Sequence, residues 1–406
     1  MQIWPVVTCC AVLSFPAFAE PSRSVLIAAE EQKADYLKTL EQLVNLDSGS
    51  DDGPGLAKVQ DVLVQRLQDL GATIEIREAP PSPGKVVIAR LKGKGERSIL
   101  LMDHYDTVFS PGDAQKRPFR IEGSRAFGPG VADAKGGLAM ILHALQILKD
   151  ADFRNYKTIT VLLNPDEERG SNGSRAQIMR LAPDHDYALS YEPPEEDQVT
   201  VATNGVASVH LRVRGIAAHA GLAPEKGRNA AIELAHQLLQ LQNLGNAKKG
   251  TTVNWTVIRA GEKINVIPDA AEATADMRLS DMNELGRVQT EGGAIVRNRL
   301  VPETEVSFDV ENRRPPFSRN AASEDLAATA TRIYGELDKP LKTGMMRFGT
   351  DASYAWNPNN PRPSVLETMG LVGSKIHTSA EYAELDSIVP RLYLSVRMIQ
   401  TLCESK

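Results

Sequence analysis

Two histidines and a set of carboxylates stand where apolar runs of the chain stop. Ile99–Met102 leads into His104 and Asp106, Thr158–Leu163 leads into Asp166, Glu167 and Glu168, and Tyr187–Ser190 leads into Glu192. Apolar runs this short suit strands covered on both faces, and open α/β sheets bind ligands beyond the carboxyl ends of their strands. At such an edge an imidazole followed two residues later by a carboxylate can have one ring nitrogen held. That fixes the tautomer and makes the other nitrogen a better metal ligand. Taken singly, each group also has a plainer reading. His104 and Asp106 fit surface polar chemistry, and the consecutive acids fit a solvated loop. Asp133, in the glycine-rich stretch Phe127–Gly137, fits a helix cap as well as a ligand in a loop shaped around something. His377, just before the last helix, fits a surface residue. Taken together, mixed imidazole and carboxylate donors on one edge suit zinc, with cobalt or manganese as substitutes. Paired ions would need a bridging acid, which Asp133 could supply. Such pairs activate water near neutral pH and stabilise an oxyanion, and a neighbouring free carboxylate can act as general base.

The elements that must position these groups are legible as periodicity. Helical spacing covers Glu30 to about Leu46 and Val59 to Leu70, with Gly71 as a stop. Strands are expected at Thr73–Arg77 and Lys85–Leu91 ahead of the one that ends at His104. A helix begins at Lys135. Strands and helices alternate, so this part of the chain predicts an α/β fold with a mostly parallel sheet and helices on both faces. Near Gly205 the texture changes: Val206–Val213 alternates as a half-exposed strand. A helix around Ala231–Leu241, strands at Thr252–Arg259 and Ala271–Leu279, a helix over Leu285–Leu300 and a strand at Glu305–Val310 follow. That order is the split βαβ of a ferredoxin-like α+β unit. It predicts an inserted dimerisation or lid domain over residues 205–316 within a catalytic domain made of 20–204 and 317–406. The exposed edge strands of such a unit invite pairing between two copies.

Composition narrows the function classes. At 406 residues the chain exceeds what one core usually serves. The apolar fraction of 42% and charged fraction of 24% are those of a globular protein. A net charge of −6 offers no basic surface for nucleic acid, so a small molecule is the expected partner. Met1–Ala19 is apolar and uncharged and ends Ala-Phe-Ala before Glu20, which reads as a cleaved export signal despite lacking an early positive charge. The expectation is a periplasmic or secreted protein with no stable membrane association. No lipoprotein arrangement precedes Cys9 or Cys10, and Cys403 alone remains after cleavage, so no intrachain disulfide is expected.

Ordered along the chain, His104-Tyr-Asp106, Gly-Pro-Gly-Val-Ala-Asp133, Glu167-Glu168, Glu192, Asn254-Trp-Thr, Asn265-Val-Ile-Pro268, Gly349-Thr-Asp351 and His377 form a set. Nearly the whole mature chain resembles bacterial glutamate carboxypeptidases of the carboxypeptidase G type. These lie within the dizinc exopeptidase family that also contains aminoacylases and succinyl-diaminopimelate desuccinylase. The resemblance implies that His104 and Glu192 hold one Zn2+, that Glu168 and His377 hold the other, and that Asp133 bridges them. It further implies that Glu167 is the general base, that Asp106 orients His104, and that the Asp133–Ala134 peptide is cis. His219 would reach across a homodimer to the oxyanion. Asn265, Arg278, Gly349 and Thr350 match positions that hold the substrate carboxylate, and Arg314 matches an arginine of the substrate pocket. Two departures stand out. Ala134 replaces an acid common in relatives, and Pro193–Gln198 lacks the lysine that they offer to a glutamate side chain. The implied activity is release of a C-terminal amino acid, glutamate first, from folate-like or N-acyl substrates or short peptides. The alternatives are an aminoacylase or dipeptidase with aromatic or aliphatic preference and, more remotely, a binding protein on a peptidase scaffold.

Overall fold

The structure is a computed structural model that describes residues 20–404; the expected export signal, with Cys9 and Cys10, lies outside the described residues. A six-stranded sheet has the spatial order Thr73–Glu78, Lys85–Lys92, Thr158–Asn164, Ser98–His104, Tyr187–Ser190, Ser364–Leu366. The last four strands run parallel; Lys85–Lys92 runs against them, and Thr73–Glu78, antiparallel to it, points the same way as the four. The sheet is therefore mixed, and it is parallel where it carries the acids.

Every residue of Ser98–His104 is buried, as befits the centre of the sheet. Successive side chains point to opposite faces. Ile99 and Leu101 enter a core with the helices Arg23–Val44, Lys135–Asp150 and Ile388–Glu404, whereas Leu100 and Met102 meet Ile178 and Leu181 of the helix Arg175–Leu181. Helices thus cover both faces. Gly71 has φ +92° just past the helix Gly53–Asp69, the left-handed turn that glycine accepts without strain. Cys403 is a buried free thiol in the final helix. Among the described residues no helix is long and apolar enough to cross a membrane.

A second, four-stranded sheet has the order Thr252–Ala260, Ala270–Leu279, Gly205–Arg214, Glu305–Arg314, antiparallel throughout. Numbered along this segment the order is 2-3-1-4, that of a split βαβ unit. Ala207, Val209, Leu211 and Val213 are buried in a separate core with Leu234, Leu241 and Val288 from the helices Ala230–Leu241 and Asn283–Ile295. The second of these helices stops five residues short of the expected Leu300. Its continuation is diverted because the backbone N–H groups of Leu300 and Val301 donate to the buried Glu233 carboxylate at 2.9 and 2.6 Å. The chain enters and leaves this unit at neighbouring points, where Thr203 and Phe317 exchange backbone hydrogen bonds of 2.8 and 3.2 Å.

One small sheet had no counterpart in the periodicity. Gly373–Ser374, Tyr382–Glu384, Arg125–Phe127 and Arg120–Glu122 pair in that order. It sets the loop holding His377 beside the glycine-rich loop holding Asp133.

Candidate metal centre

Three adjacent parallel strands deliver their C-terminal ends to one place. His104 lies opposite Asn164 in the ladder, and Met102 lies opposite Ser190, so the residues that follow each strand emerge together. There Asp133 spans two imidazoles: its Oδ1 is 3.1 Å from His104 Nε2 and its Oδ2 is 3.1 Å from His377 Nε2. Glu192 Oε1 lies 3.6 Å from His104 Nε2, and Glu168 Oε2 lies 3.0 Å from His377 Nε2. Donor atoms of His104, Glu167 and Glu192 fall within 4.8 Å of one another, as do those of Asp133, Glu168 and His377. Asp133 does not cap the helix that follows: Ala134 is the cap residue, and no side chain serves it. The Asp133–Ala134 peptide is cis, and His377 has φ +63°, a left-handed conformation rare outside glycine.

The surroundings fix each group. Asp106 is fully buried, and its carboxylate accepts from Ser50 Oγ at 2.7 Å and from the backbone N–H groups of Glu167 and Glu168 at 3.0 and 3.2 Å. His104 Nδ1 faces the Asp106 carbonyl oxygen at 3.0 Å and its Oδ1 at 3.3 Å, which leaves Nε2 toward the acids. Asp166, the first of the three consecutive acids, is not in the cluster; it accepts from the Gly173 N–H at 2.6 Å. Glu381 was missed in the sequence. It is buried, and it accepts the N–H groups of Gly130, Ala132 and Asp133 at 2.9–3.0 Å, clamping the loop from a point four residues beyond His377. Buried Lys135 does the same from the other side, donating to the carbonyls of Leu46 and Pro129. An acid in a loop carries no sequence signal for backbone groups hundreds of residues away, so nothing local could have found Glu381.

The electrostatics ask for positive charge. Burial pushes the carboxyls of Glu167 and Glu192 up and raises that of Glu168 to about 7. Burial also disfavours ionised Asp133, yet hydrogen bonds from both imidazoles outweigh it and hold its carboxyl below the usual range. His377, bonded to Asp133 and Glu168, is raised to about 11, and His104 rises too because its acidic neighbours outweigh its burial. Glu168 Oε1 is buried with no hydrogen-bond partner in the protein. Buried carboxylates that drive imidazoles to keep protons, together with an unpartnered carboxylate oxygen, fit a pair of divalent cations.

The cluster floors a cleft of ≈ 660 Å³ whose far wall is built from Val206–Ser208, Asp276, Arg278, Arg313, Arg314, Phe348 and Gly349. Arg278 pairs with Asp276 at 2.9 Å on that wall. Thr350 is buried behind it, and its carbonyl accepts from Ser353. Arg314 is buried and already engaged: Nη1 lies 2.7 Å from Glu167 Oε1 and 3.1 Å from Asp351 Oδ1. His219 and Asn265 do not line this cleft. They adjoin each other, with Ala220 N–H donating to the Asn265 carbonyl at 2.9 Å. His219 is exposed, and its Nδ1 accepts from Gly221 and Leu222 N–H at 3.2 and 3.1 Å.

Comparison with known proteins agrees with this geometry. Residues 100–401 match the family profile described as Peptidase family M20/M25/M40. The chain is 37% identical to carboxypeptidase G2 of Pseudomonas sp. (strain RS-16), over 98% of this chain and 96% of that one. It is 29% identical to acetylornithine deacetylase of Proteus mirabilis (strain HI4320), over 67% of this chain and 71% of that one. Among solved structures, a tripeptidase from Staphylococcus aureus superposes with a TM-score of 0.77 at 21% identity, covering 92% of this chain and 99% of that one. The M20 metallo-carboxypeptidase Sso-CP2 of Sulfolobus solfataricus gives 0.73 at 16% identity, with 91% and 99% covered. These two likenesses concern the fold. The family match over most of the chain, and the close relative over nearly all of it, allow one conclusion: the chain belongs to peptidase family M20/M25/M40.

Proposed function

We propose that this protein is an exported, homodimeric, dizinc exopeptidase that releases a C-terminal amino acid, glutamate first, from folate-like or N-acyl substrates. The observation that carries the reading is Asp133, whose two oxygens face one imidazole each at 3.1 Å. His104 and Glu192 would hold one Zn2+, Glu168 and His377 the other, with Asp133 shared; Co2+ or Mn2+ would substitute. When bound, the ions supply Lewis acidity for the scissile carbonyl and activate water near neutral pH.

The protein's own groups do the rest. Glu167 shares a donor neighbourhood with His104 and Glu192, but its carboxylate is gripped by Arg314 at 2.7 Å. The ion pair leaves Glu167 less available to a cation than Glu192, while burial, which outweighs the guanidinium, raises its affinity for a proton. Glu167 therefore takes the proton of the attacking water and returns it to the leaving nitrogen. Asp106 fixes the tautomer of His104. Because His219 Nδ1 accepts from two backbone N–H groups, its Nε2 carries the proton and is free to donate to an oxyanion. His219 does not line the cleft of its own chain, so it would serve a second copy, brought in by the unit spanning 205–316 as dimerisation domain. The catalytic domain would comprise 20–204 and 317–406. Arg278 on the cleft wall would read the substrate carboxylate, with Asn265, which adjoins His219, reaching it from the second copy; Gly349 and buried Thr350 would shape that wall rather than bind the carboxylate.

One observation favours a second reading, an aminoacylase or dipeptidase with aromatic or aliphatic preference: Phe348 and Ile376 line the cleft, and Pro193–Gln198 offers no lysine. Release of amino acid from N-acyl-Glu, N-acyl-Phe and N-acyl-Leu, with zinc and then with chelator, tests both. The primary reading expects chelator-sensitive release with Glu preferred, and the second expects Phe or Leu. A binding protein would release nothing even when zinc-loaded, which would overturn both readings. Glu167→Gln should lower kcat by about 10²–10⁴-fold with metal content unchanged.

A further inference from the structure

We infer that Arg314 is a positioning residue for the Glu167–Glu168 turn, anchored from behind by Asp351 and Ser171, rather than a reader of the substrate carboxylate. The inference rests on the dizinc reading above. It begins with the strand that carries the arginine. In the ladder with Gly205–Arg214, Glu311 faces Ser208 and Asn312 faces Ala207, but Arg314 faces Val206; the register slips by one residue at Arg313. Such a bulge re-aims a side chain. Here it leaves Arg313 exposed and turns Arg314 inward, where its side chain is 5% exposed.

Inside, the guanidinium has few donors to spare. Nη1 meets Glu167 Oε1 at 2.7 Å and Asp351 Oδ1 at 3.1 Å, while Nη2 donates to the Glu167 carbonyl at 3.0 Å and to Ser171 Oγ at 3.3 Å. Ser171 in turn donates its hydroxyl to Asp351 Oδ1, which closes the ring of contacts. Guanidinium carries five N–H donors, and forked recognition of a carboxylate uses two of them side by side. With four interactions made by the two terminal nitrogens, Arg314 has no free fork. It holds both the carboxylate and the backbone of Glu167, adjacent to Glu168. Tyr354, whose ring lies 5.3 Å from the guanidinium carbon, covers another side. Gly349 belongs to the same device: a Cβ there would come within 2.7 Å of Arg314 Cδ and 2.9 Å of the Asn204 carbonyl oxygen.

The test compares Arg314→Lys, Asp351→Asn and Ser171→Ala with the wild type, by zinc affinity in competition with a chromophoric chelator and by steady-state kinetics. Asp351 and Ser171 are buried, contact the arginine and do not line the cleft, so they separate the two roles. Positioning predicts that Arg314→Lys and Asp351→Asn each weaken zinc binding about 10-fold and lower kcat about 10²-fold with KM within threefold. Ser171→Ala, the mildest change and the fallback if the others fold poorly, shifts both in the same direction by a smaller factor. Wild-type zinc affinity in all three, with KM alone raised in Arg314→Lys, would overturn the inference and make Arg314 a carboxylate reader. A wild type that binds no zinc would instead sink the dizinc reading itself.

Discussion

Replacing Asp106 with Asn probes the cluster at the point where its parts are tied together. The carboxylate is fully buried. Its Oδ1 faces the Glu167 N–H and His104 Nδ1, and its Oδ2 faces the Glu168 N–H and Ser50 Oγ. An amide keeps one acceptor oxygen and puts an NH2 group in place of the other. Whichever way it turns, that NH2 confronts a backbone N–H, so one buried donor is orphaned and the charge that strengthened every bond is gone. Hydrogen bonds to a charged group are worth about 1.5–3 kcal/mol each, so losing two amounts to roughly 3–6 kcal/mol of local restraint. Loss of a residue that orients a metal-binding histidine typically lowers metal affinity about 10–100-fold. Asp106→Asn is expected to fall in that range when zinc is titrated against a chromophoric chelator, with kcat reduced and the folded core retained. Ser50→Ala removes one donor and should shift affinity far less. Asp106→Asn protein with zinc affinity and kcat within twofold of wild type would refute the claim that Asp106 holds His104 and the Glu167–Glu168 turn together.

Two further outcomes concern Gly349 and His143. Gly349→Ala should reproduce the low-kcat, normal-KM behaviour expected of Arg314→Lys, because the added methyl displaces the arginine; a raised KM with unchanged kcat would count against this. His143, buried between Gln32 and Thr39, is lowered to about 4 by burial, with Arg66 adding to the effect. The folded protein keeps this ring neutral while the unfolded chain protonates it below 6.5, so its contribution to stability is full above 6.5 and is lost as pH falls toward 4. Urea unfolding at pH 7 and pH 5 should therefore show a drop about 2 kcal/mol larger in the wild type than in His143→Gln; equal slopes would refute it.

Much of this architecture is written in local pattern. The fully buried strand Ser98–His104 reads as an apolar run, and the half-exposed strand Gly205–Arg214 reads as alternation, because burial on two faces or one dictates residue type directly. Parallel strands end at one edge, so the gathering of His104, Glu168 and Glu192 could be anticipated from where their runs stop. What escaped was everything made by long-range contact. Glu381 binds backbone groups some 250 positions earlier in the chain, and the small sheet around Arg125–Phe127 and Tyr382–Glu384 pairs strands too short to show a period. The diversion of residues 296–301 by Glu233 overrode a helical pattern that continued to Leu300. The bulge at Arg313 is likewise invisible in sequence, yet it decides whether Arg314 faces solvent or Glu167. The mostly parallel sheet was legible in local pattern; only Lys85–Lys92 runs against the other five strands, a reversal the residue pattern does not mark, since alternation alone does not encode direction.

Elemental analysis of the purified, dialysed protein, with the wild type set beside His104→Ala and His377→Ala, addresses the shared cation pair most directly. The account predicts two transition-metal ions per wild-type chain and fewer in each variant, with turnover abolished by chelator and restored by Zn2+. A wild type that binds no metal after zinc loading, or that keeps full turnover in chelator, would contradict it.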